Sequence, residues 1–265
     1  MIEYKNKFIF IAGPCVVEDK RKTYDIAAYL KDLTADYPIT FIFKASFDKA
    51  NRTSLNSFRG LGLSAGIGIL ENIKKRLNIP ILSDIHCRHQ IKYVKDILDV
   101  IQIPAFLCRQ TDLIVEAANT KKIINIKKGQ FLSPYDVKYI VEKVESCKNK
   151  NIFITERGSC FGYNNLVVDF RSFPIMKKMG YPVIFDVTHS LQKPSAGRGI
   201  SGGDSEFIDS LSLAGAACGV DGLFMEVHPE PKKALSDKHT SYNMYKLNNL
   251  LSKLTKIRKV LNGQV

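Results

Sequence analysis

A short polar segment after one strand-like run holds the residues best suited to bind an anion. The run at residues 40–43 is aromatic and branched, which favours a buried strand. Directly after it come cations and short polar groups, namely Lys44, Lys49, Asn51, Arg52, Thr53 and Ser54. Lysine and arginine form charge-assisted hydrogen bonds to carboxylates and phosphates, so the segment predicts a site for an anionic ligand. A solvated basic loop is the alternative interpretation.

The other strand-like runs also end in polar residues. Across the chain these ends carry Cys15, Lys44, Asp84, His86, Gln102, Lys127, Arg157, His189 and Glu226. Segments with apolar residues at helical spacing separate the runs, which gives eight strand–helix units. This alternation predicts an α/β fold, a (β/α)₈ TIM barrel with residues 1–265 as a single catalytic domain, and an open doubly wound sheet is the alternative. Barrels bind ligands at the carboxyl ends of their strands, so we expect these side chains to meet.

The polar strand ends divide into two groups, of which the first is cationic. It contains Lys44, Lys49, Arg52, Lys127 and Arg157, joined by Arg109 from a neighbouring loop. Cations that face one barrel mouth repel each other by several kcal/mol unless anions neutralise them. We therefore expect a substrate side with more than one anionic group.

The second group combines a thiol, an imidazole and carboxylates. Its members are Cys15, His189, Glu226 and, further on, Asp237. Strand eight of a barrel closes against strand one, so these residues would be neighbours and would suit Zn²⁺, Fe²⁺ or Mn²⁺. A buried thiol beside a hydrogen-bonded histidine is the alternative, and His228 is a rival ligand.

Net charge, apolar stretches and cysteine spacing indicate which classes of protein this chain does not belong to. The formal charge of +13 suggests nucleic-acid binding, but the lysines are spread over many helices and a basic cleft for small anions explains them equally well. We therefore expect no nucleic-acid partner. No apolar stretch reaches 18 residues, and the six cysteines form no CxxC pair. These features predict a cytoplasmic protein without a membrane span.

A GxGxxG match at residues 197–202 does not directly follow a strand, so we interpret it as part of a flexible loop over the barrel mouth.

Eight sequence blocks occur in an order typical of one enzyme family. They are IAGPC, FKASFDKANRTS, SDIH, IQIPAFLCRQTDL, NIKKGQF, ERGSCFGYNNLVVDFRS, FDVTHSLQ and LFMEVHPEPKKALSD. With these blocks the chain resembles the 3-deoxy-D-manno-octulosonate 8-phosphate synthases. The resemblance implies a homotetramer of (β/α)₈ barrels that condenses phosphoenolpyruvate with D-arabinose 5-phosphate for lipopolysaccharide biosynthesis. The related 3-deoxy-D-arabino-heptulosonate 7-phosphate synthases, which use erythrose 4-phosphate and typically carry a KPRT-type loop, are the alternative.

The resemblance also implies a role for each site residue. Phosphoenolpyruvate would be held by Lys44, Gln102, Lys127 and Arg157. Arabinose 5-phosphate would be held by Asn51, Arg52, Ser54 and, at a hydroxyl, Asp84. The catalytic set would be Lys49, Lys127, His189 and Asp84, with Lys49 between the two substrates. A loop near a subunit interface would contribute Phe106 and Arg109.

The residue at position 15 divides this family. Members with cysteine at the end of the first strand need a divalent ion, and members with asparagine there need none. This chain has Cys15, so the resemblance implies metal dependence, with Cys15, His189, Glu226 and Asp237 as ligands. Whether the ion is zinc, iron or manganese stays open.

Overall fold

Eight parallel strands close into a barrel in the computed structural model, which describes residues 2–5, 7–197 and 200–263. The strands are β1 (Phe8–Gly13), β2 (Ile39–Lys44), β3 (Ile81–Asp84), β4 (Val100–Ile103), β5 (Ile123–Lys127), β6 (Ile152–Glu156), β7 (Val183–Asp186) and β8 (Gly222–His228). Each strand pairs with the next in sequence, and β8 pairs with β1. The predicted (β/α)₈ fold is confirmed, and the open-sheet alternative is wrong because an open sheet would leave β1 and β8 as edges.

One helix follows each strand of the barrel. The helices are α1 (Lys20–Ala35), α2 (Gly62–Leu77), α3 (Arg88–Val94), α4 (Thr111–Asn119), α5 (Val137–Ser146), α6 (Ser172–Lys177), α7 (Ile208–Ala217) and α8 (Leu247–Leu261). Local chemistry sets their ends. The Asp19 side chain caps α1 by accepting from the backbone N–H of Lys22 at 2.8 Å, and Asn78 ends α2 in the left-handed conformation. A 3₁₀ turn, Pro134–Asp136, leads into α5, and the Ser133 side chain caps this turn by accepting from the backbone N–H of Tyr135.

Short strand pairs interrupt the repeat after β6, β7 and β8. Ser159–Cys160 pairs with Leu166–Val167, and Gln192–Gly197 pairs with Ile200–Gly203. Tyr242–Asn243 adds a parallel strand to β8. The predicted loop at residues 197–202 is therefore part of a hairpin in its described part, although Arg198 and Gly199 lie outside the described residues. Its flexibility stays a prediction. Backbone hydrogen bonds pair the two strands of the hairpin, and their sequences show no alternation of apolar and polar residues that would predict them.

The barrel interior has an apolar layer at the amino ends of the strands. It consists of Ile9, Ile11, Ile42, Leu82, Val100, Ile123, Phe153, Ile184 and Phe224, packed against Ile2 and Tyr4 of the N-terminal segment. Alternate strand residues point outward into the larger core between strands and helices. Because the strand repeat is two residues, the next inward positions form a second layer closer to the carboxyl ends. That layer holds the polar side chains described below.

Two glycines let β1 approach its neighbouring strands closely, Gly13 on the side of β2 and Gly222 on the side of β8. Gly222 is paired with Ile9, and Gly13 is paired with Glu226. A Cβ atom at Gly13 would lie 2.0 Å from the carbonyl oxygen of Lys44, and one at Gly222 would lie 2.3 Å from the carbonyl oxygen of Ile9. Any side chain at either position would therefore push neighbouring strands apart.

The longest of the described helices, α1 and α2, have 16 residues each. Within the ranges 2–5, 7–197 and 200–263, no helix is both long and apolar enough to cross a membrane.

Candidate active site

A cavity at the carboxyl ends of the strands gathers most of the predicted site residues. Its lining includes Lys44, Lys49, Asn51, Asp84, Gln102, Phe106, Lys127, Arg157, His189 and Glu226. Gln130 and Asp186, which were not among the predicted site residues, also line it. Residues far apart in sequence meet here because all eight strands run in the same direction around one axis.

Glu226 forms ion pairs with two lysines on one side of the cavity and accepts a hydrogen bond from Lys44. Its Oε1 atom lies 2.7 Å from Lys44 Nζ and 3.8 Å from Lys49 Nζ. Burial would raise the pKa of Glu226, but the positive charges of Lys44, His189 and Lys49 outweigh burial and lower it. Burial would lower the pKa of Lys49, but the acidic groups around it, chiefly Cys15 and Glu226, raise it. The two ionised states stabilise each other.

Asp186 plays the matching part on the adjacent strand, β7. One of its carboxylate oxygens, Oδ2, accepts from both Lys127 Nζ and His189 Nδ1, the latter at 2.8 Å. Burial lowers the pKa of Lys127 to about 8, although Asp186 acts in the opposite direction. Asp186 was not singled out from the sequence. Its position three residues before His189 was the available signal.

The cationic group and the predicted metal ligands are in direct contact, which the sequence did not suggest. Lys44 of the first group is paired with Glu226 of the second, and Lys127 is linked through Asp186 to His189. The barrel brings the ends of strands two and eight close together, and likewise those of strands five and seven. The order of these residues in the sequence does not reveal this proximity. These buried carboxylates neutralise part of the cationic charge, so repulsion alone no longer requires several ligand anions.

Arg157 keeps hydrogen-bonding capacity for a ligand. Its Nη2 atom donates to Gln192 Oε1 at 3.1 Å. Its Nη1 atom is buried and has no hydrogen-bond partner among the residues that the structure describes. Burial lowers the pKa of Arg157. A buried guanidinium N–H group without a protein acceptor is satisfied when an anionic oxygen binds there.

Asp84 and His86 form a pair on the β3 side of the cavity. His86 Nε2 lies 3.1 Å from Asp84 Oδ2, while Asp84 Oδ1 is buried without a partner in the described part of the chain. Burial would raise the pKa of Asp84, but the charge of Lys49 and the contact with His86 lower it. Asp84 therefore offers an ionised acceptor to the cavity.

The predicted metal ligands meet at the seam between β1 and β8. Ligand atoms of Cys15, Glu226 and Asp237 all lie within 4.8 Å of one another, with Cys15 Sγ 2.8 Å from Asp237 Oδ2. His189 is adjacent, because its Nε2 atom is 3.5 Å from Glu226 Oε1. The thiol also contacts Ser236 Oγ at 2.7 Å, a neighbour that the sequence did not suggest.

These residues fit a borderline divalent ion. Glu226 Oε2 is buried and lacks a hydrogen-bond partner among the described residues, which leaves a carboxylate oxygen available at the cluster. The bond from His189 Nδ1 to Asp186 directs Nε2 towards Glu226, as in many metal-binding histidines. Burial, with the charges of Asp237 and Glu226, raises the pKa of the Cys15 thiol, so ligation by Cys15 would release its proton.

Three predicted substrate-binding residues lie outside the lining of the cavity. Arg52 donates through Nε to the carbonyl of Phe58 at 3.1 Å, and its buried Nη2 atom has no partner in the described ranges. Ser54 is half-buried in the same loop. Arg109 is exposed, and the nearby Phe106 lines the cavity while 56% exposed. Loops carry these residues, so strand periodicity does not determine their place.

Comparison with known proteins places the chain in one family. The model of the DAHP synthetase I family matches residues 2–262. A protein of Geobacter sp. (strain M21) named 2-dehydro-3-deoxyphosphooctonate aldolase is 55% identical over 252 residues, which cover 95% of this chain and 92% of the relative. A protein of the same name from Desulfatibacillum aliphaticivorans is 53% identical over 251 residues, with coverage of 95% and 92%. This chain belongs to the DAHP synthetase I family.

Proposed function

We propose that this chain is an aldol-type synthase that condenses phosphoenolpyruvate with D-arabinose 5-phosphate and water. The products are 3-deoxy-D-manno-octulosonate 8-phosphate and phosphate. The observation that carries the proposal is the barrel mouth, where Lys44, Lys127 and Arg157 face one cavity beside the Cys15–Glu226–Asp237 cluster. The name shared by the relatives, 2-dehydro-3-deoxyphosphooctonate aldolase, favours this reaction over the heptulosonate alternative.

Phosphoenolpyruvate would bind on the side of the cavity formed by β2, β4, β5 and β6. Its anionic oxygens would contact Lys44, Gln102, Lys127 and Arg157. The buried Nη1 atom of Arg157 supports this placement, because it lacks an acceptor among the described residues. Lys44 and Lys127 already have carboxylate partners, so binding would exchange or share those partners.

Arabinose 5-phosphate would bind towards the loop after β2. Asn51 lines the cavity, and Arg52 and Ser54 follow it in the loop, where they would hold the phosphate group. Asp84 Oδ1 would accept from a sugar hydroxyl. Lys49 lies between this loop and Glu226, near the position that the aldehyde would occupy.

The reaction joins carbon three of phosphoenolpyruvate to the aldehyde carbon of the sugar. Water adds at carbon two, and the hemiketal phosphate then loses phosphate by cleavage of its C–O bond. Negative charge develops on the aldehyde oxygen, where the Lys49 ammonium group would stabilise it and supply a proton. The remaining cations would fix the two substrates in reacting geometry.

We propose that one divalent ion, zinc, iron or manganese, is held by Cys15, His189, Glu226 and Asp237. When bound, such an ion supplies a Lewis acid next to the aldehyde end of the cavity. Chelation should abolish turnover, and added Mn²⁺, Zn²⁺ or Fe²⁺ should restore it. Cys15→Ala should lose metal and activity, whereas Cys15→Asn should lose metal but keep measurable activity. Full turnover from protein with far less than one metal per chain would exclude this role.

We also propose a homotetramer in the cytoplasm. Phe106 is a 56% exposed aromatic residue at the mouth, which supports a neighbouring subunit there. All six cysteines are free, which suits a reducing compartment. Light scattering should give a mass near four times 29.8 kDa, and full activity at the mass of one chain would contradict the assembly.

The decisive experiment measures phosphate release from phosphoenolpyruvate with each of two aldose phosphates, with and without a chelator. We expect release with arabinose 5-phosphate, little with erythrose 4-phosphate, and none after chelation. Faster release with erythrose 4-phosphate would identify a heptulosonate synthase instead. Release with neither sugar would refute the proposed reaction class.

A further inference from the structure

Three polar side chains form a row across the barrel interior, next to the candidate active site. They come from adjacent strands, with Gln102 in β4, Asn125 in β5 and Thr155 in β6. Asn125 and Thr155 are fully buried, and Gln102 is 6% exposed at the cavity. Only Gln102 had been singled out from the sequence.

Hydrogen bonds connect the row in one direction. The Thr155 hydroxyl donates to Asn125 Oδ1 at 2.6 Å, and Asn125 Nδ2 donates to Gln102 Oε1 at 3.0 Å. The carbonyl end of the Gln102 amide is therefore occupied by protein. The NH₂ end remains for the cavity that Gln102 lines.

Burying this row of polar side chains contributes little to the free energy of folding, which points to a role in the neighbouring site. A buried amide or hydroxyl without a partner costs more than an aliphatic residue, and partnered polar groups gain little net stability over an apolar pair of the same shape. Val100, Ile123 and Phe153, the preceding inward residues of the same three strands, show that apolar side chains suit the barrel interior there. The row therefore serves the orientation of Gln102 better than it serves stability.

We infer that Thr155 and Asn125 are positioning residues that hold the Gln102 amide with its NH₂ group towards the ligand. This inference rests on the proposed function, because it assigns the ligand at that point as phosphoenolpyruvate. An NH₂ group there selects a carboxylate or phosphate oxygen, which only accepts. The opposite orientation would set the Gln102 oxygen against that anion.

The test removes the first donor of the row. Thr155→Val keeps the shape but deletes the hydroxyl, so Asn125 and Gln102 can turn. We expect the KM and Kd for phosphoenolpyruvate to rise roughly 3- to 10-fold, the size of one buried hydrogen bond. The kcat and the KM for arabinose 5-phosphate should stay unchanged. Thr155→Ser restores the hydroxyl and should restore the wild-type KM for phosphoenolpyruvate.

Ser83→Ala provides a matched control. Ser83 is a fully buried residue of β3 whose hydroxyl has no hydrogen-bond partner in the part of the chain that the structure describes. Its removal should leave both KM values at the wild-type level. If Thr155→Val does not fold, Thr155→Ala, which requires no extra volume, takes its place.

Several results would overturn the inference. They are an unchanged KM for phosphoenolpyruvate in Thr155→Val, an equal rise in both KM values, or a failure of Thr155→Ser to restore binding. Failure of the proposed function is separately visible, because wild-type protein would then release no phosphate from phosphoenolpyruvate.

Discussion

The two ends of the barrel interior differ sharply, although the same strands build both. At the amino ends, inward positions are apolar, as with Ile42, Leu82 and Ile184. Two residues further along those strands stand Lys44, Asp84 and Asp186, all buried and charged. The change occurs within one strand repeat, so the apolar layer lies directly beneath the ionised one.

The difference separates stability from function. The apolar layer contributes free energy of folding in proportion to its buried surface. The charged layer gains little from burial, because desolvation offsets ion pairing, so its value lies in ligand binding. Substitutions at the two ends should therefore change different measurements.

The largest effect is expected at the apolar end. Phe153→Ala removes a fully buried ring that packs edge-on against Tyr4 at a centroid distance of 5.0 Å. We expect a loss of ~3–5 kcal/mol in the free energy of unfolding, measured by urea titration. Activity per folded molecule should not change. Phe153→Leu is the control and should lose much less, and a large change in KM for either variant would argue against the separation.

Arg157→Ala should have the opposite profile at the charged end. Loss of a charge-assisted contact costs ~2–3 kcal/mol, so the KM for phosphoenolpyruvate should rise roughly 30- to 150-fold. Turnover should also slow, because Arg157 would orient the leaving phosphate. Steady-state kinetics and a thermal melt, with the exposed Arg171→Ala as control, measure the split. Wild-type behaviour at saturating phosphoenolpyruvate would limit Arg157 to binding.

Arg52→Ala tests whether the two substrates bind to different parts of the barrel mouth. It should raise the KM for arabinose 5-phosphate by a similar roughly 30- to 150-fold and leave that for phosphoenolpyruvate nearly unchanged. Substrate-saturation curves for each ligand measure the difference. Equal damage to both KM values would show that the loop after β2 is assigned to the wrong substrate.

Glu18 tests whether every acid near the mouth serves function. It accepts from the backbone N–H of Leu235 at 2.8 Å and lies 2.7 Å from Lys22 Nζ, which ties α1 to the loop that carries Asp237. Although burial acts to raise the pKa of Glu18, its contacts with His228, Lys22 and Leu235 lower it to about 2.

The stability that Glu18 contributes is therefore present above its unfolded pKa of about 4.5 and is lost as the pH falls towards about 2. Glu18→Gln should lose on the order of 1–2 kcal/mol at pH 7 after allowance for solvent screening, and nothing near pH 2. Urea titrations of both proteins across this pH range measure the effect. An equal difference at both ends of the range would mean that ionisation of Glu18 is irrelevant.

Strand periodicity explains why so much was predictable. Lys44, Asp84, Gln102 and Lys127 were expected to meet because they follow runs of strand-forming residues, and they line one cavity. The (β/α)₈ fold followed from the same repetition. These features depend on local pattern and on one general rule about parallel barrels.

The pairing within the site could not be predicted in the same way. Which carboxylate meets which lysine depends on the register of strands that are distant in sequence, so the link from Asp186 to Lys127 was missed. The partners of Arg52 and Arg109 depend on loop paths. The row from Thr155 to Gln102 was hidden because threonine and asparagine within a strand carry no distinctive signal.

Gly13 shows that the information in a site is not confined to its functional groups. It has no side chain to bind or react, yet a methyl group there would lie 2.0 Å from the carbonyl oxygen of Lys44. In a library of random variants selected for activity, position 13 should therefore tolerate no substitution, not even alanine, as if it were a reactive residue. Mutational tolerance, taken alone, would mark a spacer as part of the chemistry. Only the close packing of β1 against β2 at Gly13 distinguishes this steric constraint from a chemical one.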